Sequence, residues 1–151
     1  MQRSKWILIG VSCAMGISFL IVIAYARNET GEDRDYYYNI GATASILDCG
    51  GGFYNIQSSH YWWVKNKLNR TLHVLWRCQL YLFEWDKANN RWIGVKDKRD
   101  GGYKDIDPGA TAEWTRNLSF TYQLQEGRKY RVTAYTWIDE HGGKLDEVSW
   151  P

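Results

Sequence analysis

Between residues 71 and 85 apolar and polar positions alternate with period two. Leu72, Val74, Trp76, Cys78, Leu80 and Leu82 share one parity, and His73, Leu75, Arg77, Gln79, Tyr81 and Phe83 share the other. Successive side chains of a strand point to opposite faces, so this run predicts a strand with one wholly apolar face. Its far end is apolar on both faces, which places it centrally in its sheet. The same period recurs on either side. Residues 41–48 put Ala42, Ala44 and Ile46 on one parity, and Gly50-Gly51-Gly52 ends that run. A second strand is expected over 53–64, followed by a polar turn at 65–70. A five-residue hairpin turn at 86–90 leads to a returning strand at 91–96. Residues 97–110 read as a long polar loop. Three further strands follow at 113–122, 129–138 and 144–150, with a Gly-rich turn at 139–143. No heptad or helical period appears after residue 27. The pattern predicts an all-β fold of about seven antiparallel strands, a sandwich or a barrel.

The N-terminus follows a different rule. Residues 6–26, WILIGVSCAMGISFLIVIAYA, carry no charge. As a helix they would rise about 31 Å at roughly 1.5 Å per residue, enough to cross a bilayer core. Arg3 and Lys5 precede them, as in a signal peptide or an inside-oriented anchor. Ala24 and Ala26 are small residues where a signal peptidase would cut after Ala26. The apolar run is long for a cleaved signal, so an uncleaved anchor is the alternative. Either way residues 27–151 are expected outside the cytoplasm. Cys13 is not read as a lipid attachment site, because Gly10 stands where an aliphatic residue is wanted. Residues 27–37 are polar and read as a linker, leaving 38–151 as the folded domain.

Charge and cysteine usage narrow the classes. Of 19 basic residues two precede the apolar segment; the rest balance 17 acidic ones. A neutral domain has no electrostatic footprint for nucleic acid. Cys49 and Cys78 are the cysteines of the exported part, and one bridge between them is expected in an oxidising compartment. Two buried free thiols are the other possibility. His60, His73 and His141 are scattered, so no metal site is read from them. Asp100, Asp105 and Asp107 lie in the polar 97–110 stretch and are read as solvated. No nucleophile, zinc, phosphate or dinucleotide motif is present, and no carboxylate pair stands out for glycoside hydrolysis. Neither catalysis nor a cofactor is expected.

Aromatic content is the outlier. Eight of nine Trp and ten of eleven Tyr fall after residue 26. Tyr61-Trp62-Trp63 is the sharpest candidate surface, because adjacent strand residues face opposite ways and a Trp on the outer face can anchor a contact. Trp85, Trp92 and Trp137 are candidates to extend that surface. The ligand would be a protein or a cell-surface glycan.

One stretch resembles a known family. Leu124-Gln125-Glu126-Gly127-Arg128-Lys129-Tyr130-Arg131-Val132-Thr133-Ala134 is similar to the tyrosine corner of fibronectin type III and other immunoglobulin-like sandwiches. The resemblance implies that the Tyr130 hydroxyl bonds upstream backbone and pins the crossover between sheets. It implies no inter-sheet disulfide of the antibody type, because the strand after the corner has no Cys. The whole chain also resembles, loosely, small uncharacterised secreted β-sandwich proteins of Gram-positive bacteria. Together these readings suggest an extracytoplasmic interaction or adhesion module, with a carbohydrate-binding module as the first alternative and a secreted enzyme or inhibitor as the second.

Overall fold

In the computed structural model, which describes residues 6–9, 22–25 and 27–151, two four-stranded antiparallel sheets pack face to face. Near the N-terminus β1 (Trp6–Ile9) and β2 (Val22–Tyr25) pair antiparallel. The apolar helix expected over 6–26, with its signal or anchor role, rests mostly on residues outside the described set.

The sandwich is built from β3 (Arg27–Glu32), β4 (Tyr36–Gly50), β5 (Phe53–Asn66), β6 (Leu72–Asp86), β7 (Arg91–Ile106), β8 (Thr111–Gln123), β9 (Tyr130–Ile138) and β10 (His141–Trp150). One sheet has the order β3-β4-β5-β8 and the other β10-β9-β6-β7. Hairpins join β4 to β5, β6 to β7 and β9 to β10 within a sheet; β5–β6, β7–β8 and β8–β9 cross between sheets. Gly50, Gly51 and Gly52 all have positive φ, the backbone state that the β4–β5 turn needs and that glycine adopts without steric cost.

The period-two reading of β6 matches the burial. Leu72, Val74, Trp76, Cys78, Leu80 and Leu82 all lie in the core. Ile40, Ala42, Ile56, Trp62 and Val64 meet them from the facing sheet, and Val132, Ala134 and Ile138 from β9. Trp62 sits at the centre, stacked on Trp114 at 5.7 Å and edge-on to Trp76 at 5.2 Å. Its indole N–H donates to Trp137 O at 2.9 Å, so the buried polar tip is satisfied. Asn66 ties two crossovers together. Its amide donates to Arg70 O and Ile106 O, and its oxygen accepts from Leu68 N–H.

Three expectations are corrected. The 97–110 loop is mostly strand, since β7 continues to Ile106. As an edge strand it is exposed on both faces, with only Ile106 buried, so it carries no apolar alternation. The polar stretch read as a linker contains β3, which pairs with β4 at the other sheet's edge, giving eight strands. The Cys49–Cys78 bridge does not form, because Cys78 is a buried free thiol. Cys78 pairs in register with Thr136, whose hydroxyl reaches Gly41 O across the core. Cys49 lies eight residues beyond Gly41 on β4, or about 26 Å at roughly 3.3 Å per residue, far beyond disulfide reach.

Candidate functional site

The odd residues of β6 face away from the core. Cross-strand pairing puts Arg77 beside Trp137 and Gly101, Gln79 beside Tyr135 and Arg99, and Trp85 beside Trp92. The outer face of sheet β10-β9-β6-β7 therefore gathers Tyr81, Phe83, Trp85, Trp92, Tyr135 and Trp137, each half-buried. Their rings pack on one another. Tyr81 and Phe83 stack at 4.5 Å, Tyr135 and Trp137 at 5.4 Å, and Trp85 meets Trp92 edge-on at 5.3 Å. The Arg77 guanidinium lies 5.2 Å over Trp137, and that of Arg131 lies 4.2 Å over Trp92.

Three of the predicted tryptophans, Trp85, Trp92 and Trp137, are thus brought to one face. The other three candidates are not. Trp62 has no exposed surface and belongs to the core. Tyr61 and Trp63 have the outward parity of β5, in the opposite sheet. Tyr61 is buried, and its hydroxyl is pushed up to about 12 by burial and by its bond to Glu113. Sequence reasoning missed Arg99, Arg131, Tyr135 and Gly101 as members of the face. The parity of β6 already placed Arg77, Gln79, Tyr81 and Phe83 together.

Charges on this face are mostly matched. Asp97 accepts from Gln79 Nε2 at 3.1 Å and from Arg99 at 2.9 Å. Glu147 pairs with Arg131 at 3.4 Å and Lys144 at 3.3 Å. His73 pairs with Asp105 at 2.5 Å, exposed to solvent. A hollow of about 350 Å³ opens between β6 and β7, lined by Arg77, Cys78, Gln79, Arg99, Asp100, Gly101 and Trp137. A Cβ at Gly101 would lie 2.9 Å from Trp76 O and 3.3 Å from Arg77 Cγ, so a side chain there would crowd the Arg77 stem.

A second feature is the open side of the sandwich, where edge strands β7 and β8 lie alongside. Lys96 reaches over Phe120 at 5.0 Å, Lys104 over Trp114 at 5.7 Å and Arg116 over Trp76 at 5.4 Å. Lys98 donates to Ser119 O, and Arg116 pairs with Asp100 at 3.4 Å. Inward-pointing lysines on an edge strand oppose strand addition by another chain.

Two buried groups look chemical at first sight. Ser58, His60 and Thr136 form a chain: Thr136 donates to Gly41 O, so His60 Nδ1–H donates to Thr136 Oγ1 at 2.7 Å and Ser58 Oγ donates to Nε2 at 2.7 Å. His60 has no exposed surface, and burial of its cation pulls its pKa down to about 3. A serine–histidine pair sealed in a core meets no substrate. The Cys78 thiol is likewise pushed up to about 12, by burial first and by Asp100 second, so it stays protonated at neutral pH. No group of three or more metal-ligating side chains occurs among the described residues. No described helix is long and apolar enough to cross a membrane.

At the β8–β9 crossover the Gln125 N–H donates to the Tyr130 hydroxyl at 3.2 Å, and Tyr130 is 1 % exposed. The same loop holds Gly127 at φ 79°.

No protein-family model matches the chain, and no curated protein matches it. Among solved structures it is similar to Northeast Structural Genomics Consortium target SoR45, at 10% identity and a TM-score of 0.33, covering 79% of this chain and 88% of that one. It is also similar to the putative ApaA protein from Bordetella pertussis, at 13% identity and a TM-score of 0.34, covering 76% of this chain and 93% of that one. At these TM-scores neither likeness bears on the reading of the site.

Proposed function

We propose that the chain is an exported, extracytoplasmic β-sandwich of fibronectin type III or immunoglobulin-like organisation, acting as a non-catalytic interaction module. The uncharged 6–26 segment behind Arg3 and Lys5 supports export. Two features support the immunoglobulin-like organisation. The Tyr130 hydroxyl engages Gln125 backbone at the crossover between sheets, as the tyrosine corner requires. Strands β4-β5-β8 and β7-β6-β9-β10 divide seven strands between two sheets by crossovers, with β3 added at an edge.

The observation that carries the interaction reading is the outer face of sheet β10-β9-β6-β7. Six half-buried aromatic rings and three arginines stand there, outside a core complete without them. Trp, Tyr and Arg are the residues that dominate binding energy at protein interfaces. A carbohydrate-binding reading needs open ring faces for sugars to lie on. Here rings stack on each other or under guanidinium groups, which favours a protein partner. The test is photo-crosslinking in the source cells, with benzoylphenylalanine at Tyr81 or at Thr121, an exposed position of the other sheet. Protein adducts from position 81 alone are expected. Equal adducts from both positions, or none from 81, would remove this face as the contact surface.

A further inference from the structure

We propose that Arg77 anchors a carboxylate subsite that takes an Asp or Glu side chain from an extended protein segment lying over the outer face beside β7. The proposal rests on the outer face being the contact surface. Its first support is charge. Asp97 is already held by Gln79 and Arg99, and Asp100, on the rim, is turned to Arg116. Arg77 has no carboxylate partner among the described residues. It spends one N–H on Asp139 O at 3.3 Å, and its other donors meet no protein acceptor there. Stacking on Trp137 fixes the guanidinium plane, and a pre-oriented fork loses less freedom on meeting a carboxylate than a free one.

The second support is shape. The hollow of about 350 Å³ beside Arg77 has room for an acidic side chain, and it opens across Gly101 on β7. β7 ends its sheet, so the hollow stays open on that side to a segment crossing the outer face, with no described strand pairing to the β7 edge.

The experiment titrates the full chain with an acetylated, amidated Gly-Glu-Gly-Glu-Gly peptide, its Gln counterpart and glucuronate. The Arg77 Nε–H and Trp137 indole N–H NMR signals are the readout. The Glu peptide should shift both saturably, and the Gln peptide should not. R77Q should weaken the Glu peptide by about fivefold or more, as loss of a charge-assisted pair predicts, and R77K should restore only part because it lacks the fork. Arg77 is exposed, so neither variant threatens the fold. Equal shifts with both peptides, or an R77Q chain that binds as well as the parent, would overturn the proposal. Tighter Arg77-dependent binding of glucuronate would overturn the peptide source in favour of an acidic sugar. A silent titration alongside crosslinking confined to position 81 would remove the carboxylate subsite and leave the contact face intact.

Discussion

Acidification should unfold this protein through His60. In the folded state the ring is neutral: Nδ1–H donates to Thr136, and Nε2 accepts from Ser58. A second ring proton would sit on Nε2, end its role as acceptor, and place a cation where no solvent reaches. Burial therefore holds the folded pKa near 3, against 6.5 for a free imidazole. The unfolded chain binds this proton below about pH 6.5 and the folded chain does not. The stability that His60 contributes is thus fully present above pH 6.5 and is lost as pH falls toward 3. The slope approaches about 1.4 kcal/mol per pH unit, so the loss between pH 7 and pH 5 is about 2 kcal/mol.

Urea unfolding at pH 7, 6 and 5 measures this for the parent chain and for His60→Gln. The variant starts less stable because it breaks the chain from Ser58 to Gly41. The quantity that matters is the difference in pH dependence. The parent should lose about 2 kcal/mol more than the variant by pH 5. Carboxylates that also shift on folding cancel in that difference. Among them, burial raises Asp146, and the His141 hydrogen bond lowers Asp33. In folded protein the His60 ring signals should stay unchanged from pH 8 to pH 4. Parallel stability curves, or a His60 titration near pH 6, would refute the reasoning.

Further outcomes are expected. Tyr130→Phe leaves the Gln125 amide without its acceptor and should cost about 1–2 kcal/mol, lowering Tm by several degrees; an unchanged Tm would show that the corner hydroxyl is idle. In unreduced native protein at pH 8, Cys78 should resist iodoacetamide for hours, and it should react promptly in urea; mass spectrometry of the peptide containing it decides this. Replacing Lys96, Lys98 and Lys104 together by Val should leave the domain folded but promote association through the β7–β8 edges, visible by light scattering, whereas replacement by Glu should not. Trp62→Ala should cost about 3–5 kcal/mol of stability, and Trp92→Ala far less, because only Trp62 is sealed in the core.

What the sequence disclosed follows from how much each strand buries. β6 was readable residue by residue because its even positions all enter the core, and period two then fixes the outward set from Leu75 to Phe83. β3 and the second part of β7, after the strand read at 91–96, were not readable. An edge strand exposed on both faces shows no alternation, so Asp97, Arg99 and Gly101 looked like loop. That concealed the candidate site, half of whose hollow is β7. The parity argument at Tyr61-Trp62-Trp63 required one tryptophan in the core and one outside, and Trp62 is the inner one. It could not tell which sheet Trp63 faces out from, since sheet membership is set by pairing partners far away in sequence. Trp85 and Trp92 pair across the 86–90 hairpin, but Trp137 joins their face only through the distant β6–β9 pairing. The cysteines posed the same problem: composition allows a bridge, but only the fold sets Cys49 and Cys78 at different levels of the sandwich.

The placement of the aromatic residues bears on why the outer face exists at all. The core closes with Trp62, Trp114 and Trp76 packed together, so Tyr81, Phe83, Tyr135 and Trp137 are not needed to fill it. The opposite sheet turns Tyr61 and Trp63 outward among Thr43, Ser45, Gln57, Ser59, Thr115 and Asn117, but there Tyr61, Thr43, Ser45, Gln57 and Ser59 are buried, whereas the six rings of this face stay half-exposed. Such rings on a surface add association risk. Stacked in pairs, they already have restricted rotamers and lose little further freedom when covered. The same holds for Arg77 and Arg131, held over Trp137 and Trp92. A face whose large side chains are ordered before contact is suited to docking, and the lysines along the β7–β8 seam keep the neighbouring edges from competing for partners.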